Sequence, residues 1–141
     1  MVAYSFRPRF IAPILAGTKR QTIRGDRKRH ARPGEELQLF TGMRTQHCKL
    51  IGRALVEAVH PITLFLGDHP QRGWSTSWSE SCPDPRFATY ACWPKDCNEF
   101  ARRDGFKSWK ELEAFWAAEH PGLDRFEGVL IRWADLLPVV V

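Results

Sequence analysis

The sequence predicts an α+β fold: a small, mostly-β barrel flanked by two or three helices. Short apolar segments with two-residue alternation recur through the first half and again near the C-terminus, bounded by Gly, Pro or polar residues. Two further segments, near residue 10 and after residue 108, carry apolar residues at helical spacing with cap or stop residues at their ends. The order is strand, helix, several strands, excursion, helix, strand, which suits strands closing on themselves with helices packed outside. A chain of 141 residues has the length for one domain, residues 1–141, with a real core.

Val2-Ala3-Tyr4-Ser5-Phe6 opens the chain as a strand, its aromatics at alternating positions. Pro8 suits a first helical turn, where its missing N–H is no loss. Phe10, Ile11, Ile14 and Leu15 follow at helical spacing until Gly17 stops the helix as a left-handed cap. Pro13 conflicts with a long helix, so the predicted one is short and begins just before it. Gln21-Thr22-Ile23-Arg24 predicts a second strand, the stretch to Arg32 a basic loop, and Pro33-Gly34 a turn. Residues 36–42 predict a third strand. Residues 48–59 predict one long or bent strand with Gly52 at a bend or bulge, and residues 61–66 another strand.

From 67 to 94 the chain is rich in Gly, Pro, Ser and Trp without a sustained period, and predicts an irregular excursion with a short hairpin at residues 87–91. Residues 98–103 predict a helical turn closed by Asp104-Gly105. Ser108 with Glu111 forms a capping-box pattern ahead of Trp109, Leu112, Phe115 and Trp116, and Pro121-Gly122 ends that helix. Residues 125–136 predict the closing strand.

The net charge of +5 is unevenly divided: residues 1–57 carry +8 and the remainder −3. Such a field suits a nucleic acid or nucleotide partner, and a solvated basic face is the plainer alternative. No apolar run approaches the roughly 20 residues of a membrane helix, and the N-terminus shows no signal-peptide core. The expectation is a cytoplasmic protein that engages no membrane. Neither a protein partner nor an oligomeric state is legible, and a monomer is assumed.

Cys48, Cys82, Cys92 and Cys97 do not imply disulfides in such a compartment. Cys92 and Cys97 resemble half a zinc site, but no second pair has ligand spacing, so no metal and no cofactor are expected. Cys48, in a strand-like segment, is expected as a small buried hydrophobe. Trp74, Trp78 and Trp93 read either as stacking platforms for bases or as pins onto the core.

The stretch Gly17-x-Lys19-x-x-Thr22-Ile23-Arg24, just after the short helix, resembles the signature of ASCH domains, which share the PUA-like barrel. The resemblance continues through Pro33-Gly34-Glu35 and residues 37–45, and again through Phe100-Ala101-x-x-Asp104-Gly105-Phe106 and the helix after it. It covers most of the chain except a Trp-rich insertion at about residues 68–97. It implies a relative of RNA-binding PUA domains with a cleft lined by the motif. Some small bacterial members are amidohydrolases that remove the acetyl group of N4-acetylcytidine, using the lysine and threonine of this motif and a later acidic residue. Carried over, the lysine falls on Lys19, the threonine on Thr22 and the acidic residue on Asp104. Those enzymes have glutamate at the last position, so Asp104 is one methylene short, and they lack the insertion.

The chemistry is reasonable for these residue types. A threonine hydroxyl attacks only when a base accepts its proton, and a lysine is that base once its pKa is lowered. Arg20 and Arg24 near Lys19 would push in that direction, Asp104 would orient the substrate amine or shuttle a proton to the leaving group, and Arg24 or a backbone amide would stabilise the oxyanion. Arg24, Arg27, Lys28, Arg29 and Arg44 are the expected nucleotide- or RNA-binding cations. Each has a duller reading: Lys19 a phosphate contact, Thr22 a strand former, Asp104-Gly105 a turn with Arg24 as its salt-bridge partner. The functional expectation is binding of RNA or a modified nucleoside, with amide hydrolysis as its enzymatic form. A non-catalytic single-stranded RNA-binding module and a protein-interaction scaffold built on the Trp-rich insertion are the alternatives.

Overall fold

One 17-residue strand, Lys49–Phe65, runs through the middle of the molecule and serves two sets of partners. The structure, a computed structural model, describes residues 2–25, 29–76, 90–92 and 97–138. Its strands are β1 (Val2–Phe6), β2 (Gln21–Arg24), β3 (Glu36–Thr41), β4 (Lys49–Phe65), β5 (Gly73–Thr76), β6 (Tyr90–Cys92) and β7 (Arg125–Trp133). The helices are α1 (Ile11–Ala16), α2 (Cys97–Arg103) and α3 (Trp109–Glu119), with a 3-10 turn at Pro8–Phe10. The first half of β4 pairs antiparallel with β3, and β3 pairs parallel with β1. The second half lies between β7 and β5; β7 carries β2 on its other side and β5 carries β6.

The fold is α+β, with a mixed sheet and three helices. The barrel, however, is not closed. Among the described residues β1 and β2 share no ladder: β2 pairs with β7 and β1 with β3. A side chain spans that seam instead: Arg24 Nη2 donates to Ser5 O at 2.8 Å.

Several local expectations are met and others are corrected. Gly17 caps α1 at φ +80, its N–H donating to Ile14 O at 3.1 Å, while the helix itself is split, its first turn being 3-10. Beside Gly52 the register of β3 and β4 slips, Leu39 facing Gly52 and Phe40 facing Leu50, so that Ile51 is the bulged residue. The strands expected at 48–59 and 61–66 are one. Pro61 lies between the stretch of β4 paired with β3 and the stretch paired with β5, at the place along that edge where no ladder runs. Cys48 is not buried but exposed, in the turn before β4.

The excursion contains β5 and β6, with Trp74 stacked on Phe100 at 4.7 Å between ring centroids, a pin onto the core. The hairpin expected at 87–91 falls mostly outside the described residues, as do Trp78 and Trp93. Ser108 caps α3 by accepting from Glu111 N at 3.3 Å, but the Glu111 carboxylate, expected to complete a capping box, accepts from Arg9 instead. The core lies where Leu37, Leu39, Leu64, Ile131 and Trp133 of the sheet meet Phe100, Trp109 and Leu112 of the helices. Among the described residues no helix is long and apolar enough to cross a membrane.

Candidate active site

The open seam is where two segments far apart in the chain meet. Helix α2 ends in a Schellman arrangement, Phe106 N donating to Ala101 O at 2.9 Å and Gly105 N to Arg102 O at 3.1 Å, with Gly105 at φ +97. A helix end leaves its last carbonyls without intrahelical partners. The segment entering β2 takes two of them: Arg20 N donates to Arg103 O at 2.9 Å, and Lys19 Nζ to Asp104 O at 2.5 Å. Lys19 and Asp104 are thereby held against each other from 85 residues apart.

Both are buried, Lys19 at 3% exposure and Asp104 at 5%. Lys19 Nζ lies 3.9 Å from Asp104 Oδ1 and stands over the rings of Phe10 and Phe6, at 4.5 and 5.5 Å from their centroids. Gln21 Nε2 reaches Asp104 Oδ1 at 3.4 Å. Burial pushes the Lys19 amine down from 10.5 to about 8; Asp104 opposes this, and Arg24 and Arg9 add to it. Burial likewise pushes the Asp104 carboxyl up from 3.8 to about 6, opposed by Lys19, by the Gln21 hydrogen bond and by Arg24. The sequence-based expectation that Arg20 perturbs Lys19 is not met. Arg20 turns away, its Nε donating to Gly17 O at 2.8 Å and its guanidinium paired with Asp135.

Thr22 sits on β2 opposite Ile131, also buried. Its Oγ1 accepts from Arg24 Nε at 3.0 Å. The Arg24 guanidinium packs over Phe6 at 4.8 Å and Tyr4 at 5.1 Å while holding Ser5 O. Arg24 is thus a fixed part of the site, bonded to the threonine. Lys19, Thr22, Arg24 and Asp104 all line one cleft of about 230 Å³. Phe6, Phe10, Phe106, Phe115 and Trp116 form its apolar wall. At its rim Arg7 is paired with Glu119 at 2.6 Å.

Of the remaining predicted cations, the two that are described do not reach the cleft. Arg29 pairs with Glu35, and Arg44 is exposed in the β3–β4 turn at φ +66; neither lines it. Arg27 and Lys28 lie outside the described residues. Among the described residues no cluster of His, Cys, Asp or Glu is arranged to hold a metal.

No family model, curated protein or solved structure matches the chain. What the cleft does therefore rests on its own chemistry. A hydroxyl, an amine poised near neutral pH, a guanidinium bonded to that hydroxyl and a buried carboxyl are the parts of a nucleophilic acyl transfer. Sequence reasoning misses Gln21 and the aromatic wall. Gln21 lies inside the motif, where its polar side chain at a strand position was the available signal. Phe115 and Trp116 carried only the helical spacing of core residues.

Proposed function

We propose that the chain is an ASCH-type protein of the PUA-like superfamily that takes an acylated cytidine into this cleft and hydrolyses its N4 amide. The observation that carries this reading is the convergence of Lys19, Thr22, Arg24 and Asp104 on one aromatic-walled cleft. In the proposed reaction Thr22 Oγ attacks the acetyl carbon as Lys19 Nζ takes the hydroxyl proton. The C–N4 bond then breaks and that proton passes to N4, leaving cytidine and an acetyl ester on Thr22. Water, deprotonated by Lys19, attacks the ester, releasing acetate and restoring the hydroxyl. Lys19, with one N–H on Asp104 O, has a lone pair to accept a proton when neutral, and the proposed reaction turns it to Thr22 in the same cleft. The Asp104 carboxylate steadies the ammonium formed in each half-reaction, and Arg24 meets the developing oxyanion.

A volume of about 230 Å³ lies below the roughly 300–1,000 Å³ of pockets for drug-sized ligands, which favours one nucleoside over a length of polymer. The flat apolar wall suits a base. Of the cations expected to hold single-stranded RNA, Arg29 is paired with Glu35 and Arg44 does not line the cleft, so the nucleoside reading is the one the cleft supports. A competing reading has an observation of its own: the 2.5 Å bond to Asp104 O suits a Lys19 that only closes α2.

Acetate release from N4-acetylcytidine separates them. Wild type releases acetate, and Thr22→Val, isosteric and expected to cost about 1–3 kcal/mol through the lost Arg24 Nε bond, stays folded and loses at least about 100-fold. Wild type without release above background ends the hydrolytic reading, and cytidine binding by calorimetry then decides whether the cleft holds a nucleoside at all.

A further inference from the structure

Beyond the Asp104-Gly105-Phe106 turn lies a second, larger groove of about 810 Å³, walled by the ends of α1 and α2 and the approach to α3. We infer that this groove binds a phosphate ester attached to the substrate, so that the unit recognised is a nucleotide and not a bare nucleoside. The position of the base rests on the nucleoside reading of the cleft; anion binding in the groove stands on separate observations.

Four cations line the groove, Arg9, Arg102, Arg103 and Lys107, against two carboxylates, Glu99 and Glu111. Arg9 is paired with Glu111 at 2.6 Å. Arg103 meets Glu99 only at 3.8 Å, and its Nε is buried without a hydrogen-bond acceptor among the described residues. Arg102 and Lys107 are exposed, with no ion pair among the described residues. The groove thus presents more positive charge than its own acids neutralise. That is a local feature, since the chain beyond residue 57 carries a net −3.

Cations at a helix C-terminus also serve the helix dipole, and Arg102 and Arg103 occupy the last turn of α2. That explanation does not reach Arg9 or Lys107, which come from other segments, and two carbonyls at this end already accept from Arg20 and Lys19. Four cations from three segments around one concavity describe an anion site.

The groove adjoins the cleft. Phe106 lines both, and the Arg9 guanidinium lies 4.9 Å from the centroid of its ring. A base seated against Phe106 in the cleft can send its sugar and phosphate past that ring to the arginines, which bind phosphate oxygens through charge-assisted hydrogen bonds. The ester is either the monoester of a free nucleotide or the diester of RNA, and both offer the same oxygens.

The test is calorimetric binding of cytidine, cytidine 5′-monophosphate, a short single-stranded oligocytidylate and inorganic pyrophosphate to wild type and to Arg102→Ala/Lys107→Ala, a pair exposed enough to leave folding intact. The monophosphate is expected to bind roughly tenfold tighter than cytidine. That advantage shrinks as salt rises and is lost in the double variant, whose cytidine affinity is unchanged. Oligocytidylate binding tighter than the monophosphate assigns the groove to RNA, and equal binding assigns it to free nucleotide. A monophosphate no tighter than cytidine, or an advantage that survives in the double variant, overturns the inference. Should cytidine not bind while pyrophosphate binds wild type and not the double variant, the groove stands and the nucleoside reading of the cleft falls. Pyrophosphate binding equally to both proteins removes the groove.

Discussion

At the scale of single residues, the buried Lys19 and Asp104 are disfavoured by the same desolvation, and their mutual attraction across 3.9 Å recovers only part of it. The consequence for stability follows from which state holds the proton. Between pH 3.8 and about 6 the folded protein keeps a proton on Asp104 that the unfolded chain has released, so stability falls as pH rises through that window. Between about 8 and 10.5 the unfolded chain holds a proton on Lys19 that the folded protein has lost, so stability rises with pH there. The pair is therefore least favourable between about pH 6 and 8. The full swing on each side is on the order of 3 kcal/mol. Chemical denaturation across pH is expected to show this trough in wild type and a flatter profile in Lys19→Met/Asp104→Asn. An unchanged trough in the double variant would assign it to other groups. The pair also allows a sharper test of Lys19 as base. Because Asp104 holds the Lys19 pKa up, Asp104→Asn lowers it further, and the rising limb of the pH–rate profile moves to lower pH even as the maximum rate drops. A limb that stays in place or moves up excludes Lys19 as the group that must be neutral.

At the scale of elements, the site depends on two glycines that hold it from opposite sides. A Cβ at Gly128 on β7 would lie 2.4 Å from Arg24 O and 2.6 Å from the Phe126 ring, so the β2 backbone and the ring must both shift to admit it. Gly128→Ala is expected to cost about 1–3 kcal/mol and to push Arg24 off its Thr22 and Ser5 contacts, so that acetate release falls by more than the melting temperature alone explains. A Cβ at Gly105 would lie 2.9 Å from Lys19 Cδ, at a φ of +97 that L side chains rarely adopt. Gly105→Ala should destabilise by a similar amount and displace Lys19 directly. If either variant melts and turns over as wild type does, the packing described around it is wrong. Much of this level was legible in the sequence, because caps and turns are local chemistry: Gly17 ending α1, Ser108 opening α3 and Asp104-Gly105 closing α2 each depend on their immediate neighbours. The partner of Glu111 was not legible, since Arg9 arrives from 102 residues away and outcompetes the local backbone N–H. Nor was the cause of the Lys19 shift: sequence proximity pointed to Arg20, whereas burial, a property of the assembled core, dominates.

For the molecule as a whole, the sheet is two groups of strands sharing β4, and the side on which it fails to close is the side that holds the cleft. Alternation in the sequence located the strands but not the closure, because which edges meet is a property of the assembled sheet and leaves no local pattern. It also divided β4 at Pro61, since a proline reads as a break unless the strand is changing partners there. An open seam makes β2 a unit that can loosen without the rest: among the described residues it has one paired neighbour, β7, where β4 has β3, β5 and β7. Arg24 ties β2 to β1 through Ser5 O and stiffens Thr22 through Nε. Arg24→Met keeps an apolar chain over Phe6 and removes both bonds, an expected loss of about 1.5–3 kcal/mol for hydrogen bonds to a charged group. Native-state amide exchange is expected to quicken at Thr22 and Ile23 and along the facing residues of β7, while Leu39, Ala54 and Leu64 of β3 and β4 keep the slow exchange of the global unfolding reaction. Uniform quickening across all of these amides would mean that β2 opens only with the whole sheet, and the seam would then be no more than a gap in the hydrogen-bond ladder. Local quickening would show that β2 opens by itself once the Arg24 tie to Ser5 O is cut; lost turnover in the same variant follows in any case from the loss of the group that meets the oxyanion.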